Sequence, residues 1–300
     1  MRYPFSLLTL LVLGGVPLTW SLRTEAPIGV AEAAGAEVVI KAMDYAFEVP
    51  ETVRPGRRTI RLVATGKELH HVWIVKLEDG KKVSDLLAAL KPGAPFPTWA
   101  KNIGGPNAPA PGGESVGVVD LPEGSYAVVC FIPSPDGTPH IMKGMVKPLT
   151  VAGEPMPAST IKPTAKAVLS DYAFTFAKPI TPGRQVIEFR NESEQTHEAF
   201  LAKLLPGKTA ADLLAWIAKM DGPPPAIPMS GITGIEPGAV QSVIVDFEPG
   251  TYAWYCFVPD ANDGKEHVQH GMVREFTVGA VNAAVSAGAA PGAGHDKKGH

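Results

Sequence analysis

Residues Tyr126–Val151 read YAVVCFIPSPDGTPHIMKGMVKPLTV, and the fold is decided there. An apolar run ends in the thiol of Cys130. A Pro- and Gly-rich return follows, carrying the imidazole of His140 and the thioether of Met145. The pattern recurs over Tyr252–Val278 with Cys256, His267 and Met272. The chain has 2 cysteines, and each copy takes one. Thiolate, imidazole and a weak thioether together form the ligand set of a blue-copper site. A second imidazole per copy has to come from upstream.

A duplication supplies it. Asp44-Tyr45-Ala46-Phe47 returns as Asp171-Tyr172-Ala173-Phe174, and Pro55-Gly56 returns as Pro182-Gly183, both at an offset of 127. Asp85-Leu86-Leu87 and Met145 return at the same offset, and the cysteines at 126. Units of roughly 110 residues are far longer than solenoid periods, so this is a duplicated domain. In the same register His70 falls on His197. Each unit then offers two His, one Cys and one Met.

Within the first unit, Val, Ile, Tyr and Phe enrichment predicts a strand over Glu37 to Val49. A Pro-Gly turn and strands Thr59–Ala64 and His71–Leu77 follow. Leu86, Leu87 and Leu90 share one face of a short helix, Ser84–Leu90, with Ser84 as its cap. Pro92–Glu114 reads as a Gly/Pro-rich crossover. Two strands with a turn at Glu123-Gly124 lead to Cys130, and Met145–Val151 closes the unit. The second unit follows suit, with its helix at Ala211–Met220. Short strands with one helix per unit predict an all-β chain of two Greek-key sandwiches.

Composition supports this. Gly 31 and Pro 30 fit many turns between short strands. A balance of 27 basic against 30 acidic residues, with no dense Lys/Arg run, argues against nucleic acid as a partner. Two cysteines make no disulfide framework. A Cys130–Cys256 bridge is the alternative, but equivalent positions in side-by-side domains lie too far apart for one.

The boundaries are then a leader at 1–36, a first domain at 37–151, a Pro-rich linker at 152–166, a second domain at 167–279 and an Ala/Gly/His tail at 280–300. The leader reads as an export signal, with Arg2, an apolar run from Phe5 to Leu18, and an A-x-A site at Ala33–Ala36. An uncleaved N-terminal membrane anchor is the alternative reading. Either way the chain is expected in the periplasm or outside the cell. The tail residues His295 and His300 read as idle.

The motif Cys-x-x-Pro, then His, then Gly-Met five residues later stands here as C-F-I-P…H-I-M-K-G-M and C-F-V-P…H-V-Q-H-G-M. It resembles the cupredoxins, the plastocyanin- and azurin-like blue-copper family, over both repeats. The resemblance implies copper, one per domain and up to two per chain. Cys130 and Cys256 would be the thiolate ligands, and His70, His140, His197 and His267 the equatorial imidazoles. Met145 and Met272 would be the weak axial ligands. It implies one-electron exchange with an unidentified redox protein, with the exposed edge of His140 or His267 as the port. The Cys-to-His separation is longer than in plastocyanin and nearer that of nitrite reductases. Closing the longer loop costs about 1.3 kcal/mol, small beside metal–thiolate binding.

Oxidase and reductase members need extra histidines beside the ligand Cys. Here the neighbours are Val129 and Phe131, and Tyr255 and Phe257. A carrier is therefore expected rather than an enzyme. A copper-binding or delivery module, and a partner-binding sandwich with vestigial sites, are the competing readings. Taken singly, a Cys on an apolar strand is a small buried hydrophobe; the convergence of four donor types is what favours metal. His71, adjacent to His70, is expected at the surface or behind a ligand. His270 is expected at the rim, Met142 is an outside candidate for copper, and Trp73 and Trp254 are expected in the core.

Overall fold

The computed structural model describes residues 37–279 apart from 92, 93 and 158. The leader and the tail, with His295 and His300, lie outside the described residues. The first half contains β1 (Glu37–Met43), β2 (Ala46–Glu48), β3 (Thr52–Val53), β4 (Gly56–Ala64), β5 (Trp73–Leu77), α1 (Val83–Ala89), β6 (Ala100–Gly104), β7 (Glu114–Leu121), β8 (Gly124–Val129) and β9 (Val146–Val151). The second half contains β10 (Ala165–Ser170), β11 (Ala173–Phe176), β12 (Gly183–Asn191), β13 (His197–Leu204), α2 (Ala210–Ile217), β14 (Ala226–Ile235), β15 (Val240–Phe247), β16 (Gly250–Tyr255) and β17 (Val273–Val278).

Strict alternation in β1 turns Val38, Ile40 and Ala42 inward. They meet Ile60 and Leu62 of β4, Ile74 of β5, Val128 of β8 and Leu149 of β9 in one core. Leu169, Ile187, Phe189, Leu201, Val243 and Trp254 build the matching core of the second half. Each half is thus two sheets closed over an apolar layer. In the first, β2-β1-β4-β7 covers β3-β9-β8-β5-β6. In the second, β11-β10-β12-β15 covers β14-β13-β16-β17.

The halves are continuous with one another. β7 pairs antiparallel with β15 through Val116↔Ile244, Gly117↔Val243 and Val118↔Ser242, making one eight-stranded sheet. On the other layer the segments around Gly105 and Gly231 cross reciprocally. The Asn107 N–H donates to Gly231 O at 3.0 Å, and the Thr233 N–H to Gly105 O at 2.9 Å. Both glycines hold φ values of +146° and +136°, and a Cβ on either would overlap the carbonyl of Val72 or Ala199. Only glycine lets main chain approach main chain this closely. Among the described residues of 152–164 none lies in a strand, and the N–H groups of Met156 and Ser159 bond to Pro55 O and Arg57 O.

Several local expectations change. The strand read over Glu37–Val49 breaks at Asp44-Tyr45, where Tyr45 adopts φ 63° and starts β2. The strand read from His71 begins at Trp73, leaving His70 and His71 on the approach to it. Ser84 lies inside α1 and does not cap it. The helix starts one residue earlier, at Val83, with the Lys82 N–H donating to Asp85 Oδ2 at 2.8 Å. α2 spans Ala210–Ile217, with Thr209 and Asp212 forming a reciprocal capping box. The crossover carries a strand, β6, which its Gly/Pro content concealed. Trp73 and Trp254 are buried as expected.

Candidate metal centres

β8 ends at Val129, and Cys130 follows it while still inside the core. Four main-chain bonds fold the return onto it. The Cys130 N–H donates to Met145 O, Ile141 N–H to Cys130 O, His140 N–H to Ile132 O, and Met145 N–H to His140 O, at 2.8–3.3 Å. Cys256, Val268, His267 and Met272 make the same four bonds in the second half. Residues His140–Lys143 and His267–His270 are single 3-10 turns, ended by Gly144 at φ 96° and Gly271 at φ 92°. That left-handed step turns the chain back so that the next residue is the methionine. The Gly-Met pair is therefore a backbone requirement as much as a ligand signature.

His70, Cys130 and His140 converge, as do His197, Cys256 and His267; within each triad the donor atoms lie within 4.8 Å of one another. All six side chains are fully buried, and so are Met145 and Met272, which share the cores of their cysteines. In the first triad His70 Nδ1 is 3.1 Å from His140 Nδ1, and Cys130 Sγ is 3.4 Å from His140 Nδ1. In the second, Cys256 Sγ lies 3.7 Å from His197 Nδ1 and 3.3 Å from His267 Nδ1.

These spacings fit one ion. With nitrogen at about 2.0 Å and sulfur at about 2.3 Å, trigonal donors stand about 3.5–3.7 Å apart. The carboxylates behind the rings point the same way. His70 Nε2 is 3.0 Å from Asp44 Oδ1, His140 Nε2 is 2.8 Å from Glu68 Oε2, and His197 Nε2 is 3.0 Å from Asp171 Oδ1. A carboxylate holds the proton on Nε2, which leaves Nδ1 a bare lone pair. Two such lone pairs facing each other at 3.1 Å beside a sulfur need a cation between them. Burial pushes the Cys130 thiol up to about 12 and raises Cys256 too, so a thiolate there also needs a cation. Burial lowers His70 and His197, and takes His267 down to about 4, keeping these imidazoles neutral and able to ligate.

The two surroundings differ. Glu68 accepts from Tyr45 Oη at 2.7 Å as well as contacting His140. The Tyr45 hydrogen bond comes first among the causes that hold its carboxyl below the usual range, and His140 adds to it. At the equivalent position the second half has Gln195. Its carboxylate comes instead from Asp260, which accepts from Tyr172 Oη at 2.6 Å and Gln195 Nε2 at 2.9 Å. Asp260 Oδ2 stands 3.8 Å from His267 Nε2, a nitrogen with no hydrogen-bond partner.

Tyr45 and Tyr172 both occupy left-handed backbone, at φ 63° and 61°, and stand edge-on to His140 and His267 at 5.4 and 5.5 Å. A non-glycine residue there costs of order 1–3 kcal/mol and persists where its surroundings fix it. The repeated Asp-Tyr pair thus caps each site: the carboxylate orients one imidazole and the tyrosine covers the other. This corrects the expectation of an exposed port, since neither His140 nor His267 shows any edge to solvent.

His71 is likewise not at the surface. It is buried, and its Nε2 accepts the Phe131 N–H at 2.9 Å, directly after Cys130. Burial takes it down to about 3, so it stays neutral. Glu198, its equivalent, is buried too and accepts the Phe257 N–H at 3.1 Å, directly after Cys256. Asn107 joins the two. Its side chain lies beside the His71 ring and raises it slightly against burial, and its Nδ2 donates to Glu198 Oε2 at 3.0 Å. Met142 is 58% exposed, pointing away from the triad. His270 sits at the rim, stacked on Tyr172 at 4.7 Å and 3.2 Å from Asp263. With Asp260 and Asp263 it forms a third cluster of possible ligands, open to solvent on one side and hydrogen-bonded within itself. Both cysteines are free thiols.

Sequence reasoning missed Asp44, Glu68, Asp171, Asp260, Asn107 and Glu198. The signal for two of them was in plain view, since Asp44 and Asp171 open the repeated Asp-Tyr-Ala-Phe.

No family model and no curated protein matches the chain. Among solved structures, a reduced auracyanin from Roseiflexus castenholzii matches with 23% identity over 39% of this chain and 98% of that one, at a TM-score of 0.28. Lac15 from a marine microbial metagenome matches with 14% identity over 89% and 73%, at 0.24. A Cu-containing nitrite reductase from Thermus scotoductus matches with 13% identity over 82% and 61%, at 0.23. Each half of this chain is a two-sheet β-sandwich, and the imidazole–thiol–imidazole set buried in it is a donor set that copper fits.

Proposed function

We propose that the chain is an exported one-electron carrier with two mononuclear type 1 copper centres. His70, Cys130, His140 and Met145 hold one, and His197, Cys256, His267 and Met272 hold the other. The observation that carries this reading is the buried, preformed convergence of Nδ1 atoms and sulfur at 3.1–3.7 Å. Copper bound there supplies the Cu(I)/Cu(II) couple. The chain's own part is to fix the donors before the metal arrives. Asp44, Glu68 and Asp171 hold the tautomers, the 3-10 turns hold the sulfurs, and burial excludes water. Fixed donors change little between oxidation states, so little reorganisation opposes transfer. Electrons enter through the Tyr45–Glu68 and Tyr172–Asp260 covers, since the imidazoles behind them are sealed, and the donor is a protein that docks on such a cover. The N-terminal segment, read as an export signal, supports an exchange in the periplasm or outside the cell.

Adding Cu(II) to the metal-free chain tests the proposal. Two equivalents bind with an intense visible thiolate-to-copper band, and Cys130→Ser and Cys256→Ser each remove one equivalent and its share of the band. The same sealing of both imidazoles favours a second reading, a copper store or delivery module. Tight uptake without the band, or a band that small one-electron reagents do not bleach and restore, would favour that alternative.

A further inference from the structure

The halves came from one duplication, yet the surroundings of their triads are unequal in a directed way. In the first half both ligand imidazoles touch carboxylates, at 3.0 Å from Asp44 and 2.8 Å from Glu68. In the second only His197 does, at 3.0 Å from Asp171. Gln195 replaces Glu68 in register, and the Asp260 carboxylate is held away from His267 Nε2 at 3.8 Å. Asp260 is also shared out among Tyr172, Gln195 and the N–H groups of Asn262 and Asp263. A carboxylate bonded to a ligand imidazole makes it a stronger donor and favours the more highly charged metal ion. A copper ion held by the first triad would therefore be favoured as Cu(II), and one held by the second as Cu(I).

Buried groups also connect the surroundings of the two triads. The Phe131 N–H, directly after Cys130, bonds to His71; Asn107 beside that ring bonds to Glu198; and Glu198 accepts the Phe257 N–H, directly after Cys256. Every side chain on this bridge is buried, and it spans the junction of the halves. Glu198 lies near Cys256, but its carboxyl is bonded to Asn107 and main chain, not to a ligand imidazole.

We propose that the chain is a directional pair, passing an electron from the first centre to the second across the His71–Asn107–Glu198 bridge. The inference rests on the copper reading above. In the step, Cu(I) in the first half becomes Cu(II) and Cu(II) in the second becomes Cu(I); one electron moves, no bond breaks and no other reactant is needed.

Spectroelectrochemical titration of the copper-loaded full chain, followed at the thiolate band, tests this. Two one-electron waves are expected. Cys256→Ser keeps the lower wave, and Cys130→Ser keeps the higher. Glu68→Gln, which gives the first site the second site's residue, moves the lower wave up towards the other. The reciprocal Gln195→Glu moves the higher wave down. After a substoichiometric pulse from a small radical reductant, the first-half band bleaches and recovers while the second bleaches, at a rate independent of protein concentration. Asn107→Ala slows that exchange. Coincident or reversed waves, or an exchange rate that Asn107→Ala leaves unchanged, would overturn the proposal while leaving the carrier reading intact. A chain that takes up no copper, or shows no band, would sink both.

Discussion

Gly66→Ala, read beside Asp44→Asn, tests what the Asp44–His70 contact contributes to metal binding. A Cβ at Gly66 would overlap Asp44 Oδ1 outright and stand 2.6 Å from His70 Nε2 and 2.9 Å from the Asp44 amide nitrogen. Ordinary contact begins near 3.4 Å, so something must move by almost 1 Å. The amide is main chain and His70 is sealed in the core; the Asp44 side chain is one-third exposed and gives way first. It then leaves His70 Nε2, and also the N–H groups of Lys67 and Glu68, which it accepts at 2.8 and 3.1 Å. Losing a carboxylate behind a metal-binding histidine costs about 10–100-fold in affinity, or about 1.4–2.7 kcal/mol. The assay is chelator competition for copper in a Cys256→Ser background, where only the first site loads. Affinity should fall by that factor, Asp44→Asn should lower it too, and the second site, read in Cys130→Ser, should be indifferent to Gly66→Ala. Unchanged affinity in the first site would refute the idea that Asp44 orients His70.

Three further outcomes follow from the same geometry. Burial keeps the Cys130 thiol protonated across neutral pH, up to about 12, so metal uptake must expel a proton. Affinity should then rise about tenfold per pH unit between about pH 6 and about pH 8, and a flat chelator-competition profile would contradict this. Burial raises Glu198 from 4.5 to about 7, so its contribution to stability is full below 4.5 and is lost as pH rises through about 7. Metal-free Glu198→Gln escapes that loss, so its urea midpoint relative to the parent should improve from pH 5 to pH 8; a constant difference would argue against a strained carboxylate. A Cβ on Gly234 would overlap the Trp73 ring across the junction of the halves, so Gly234→Ala should cost about 1–3 kcal/mol in denaturant unfolding. An unchanged midpoint would mean that the ring is loosely held.

Much of this was legible because duplication wrote it twice. Alternation in Glu37–Met43 and the apolar run into Cys130 exposed the sandwich, and matched register found His197 from His70. What stayed hidden was whatever depends on distant chain meeting in space. Asp44 is 26 residues from the ring it orients, and it read only as part of a repeat. Asn107 sits in a Gly/Pro-rich stretch whose strand, β6, has no alternation strong enough to announce it. His71 was read as lying at the surface or behind a ligand; with the strand beginning two residues later, the structure takes the second alternative, and the ring backs the chain directly after Cys130. The port was inferred from the resemblance, and Tyr45 and Tyr172 close it through backbone angles that sequence pattern does not report.

The β7–β15 pairing also limits how this chain can be divided. Cleave it between the repeats, and each piece would present a long central strand as a raw edge, with N–H and C=O groups and apolar side chains such as Val118 and Ile244 newly wetted. Such an edge is a template for its own kind. Separated pieces would therefore self-associate or precipitate rather than behave as small soluble domains, and mixing them would favour reassembly into the parent pair.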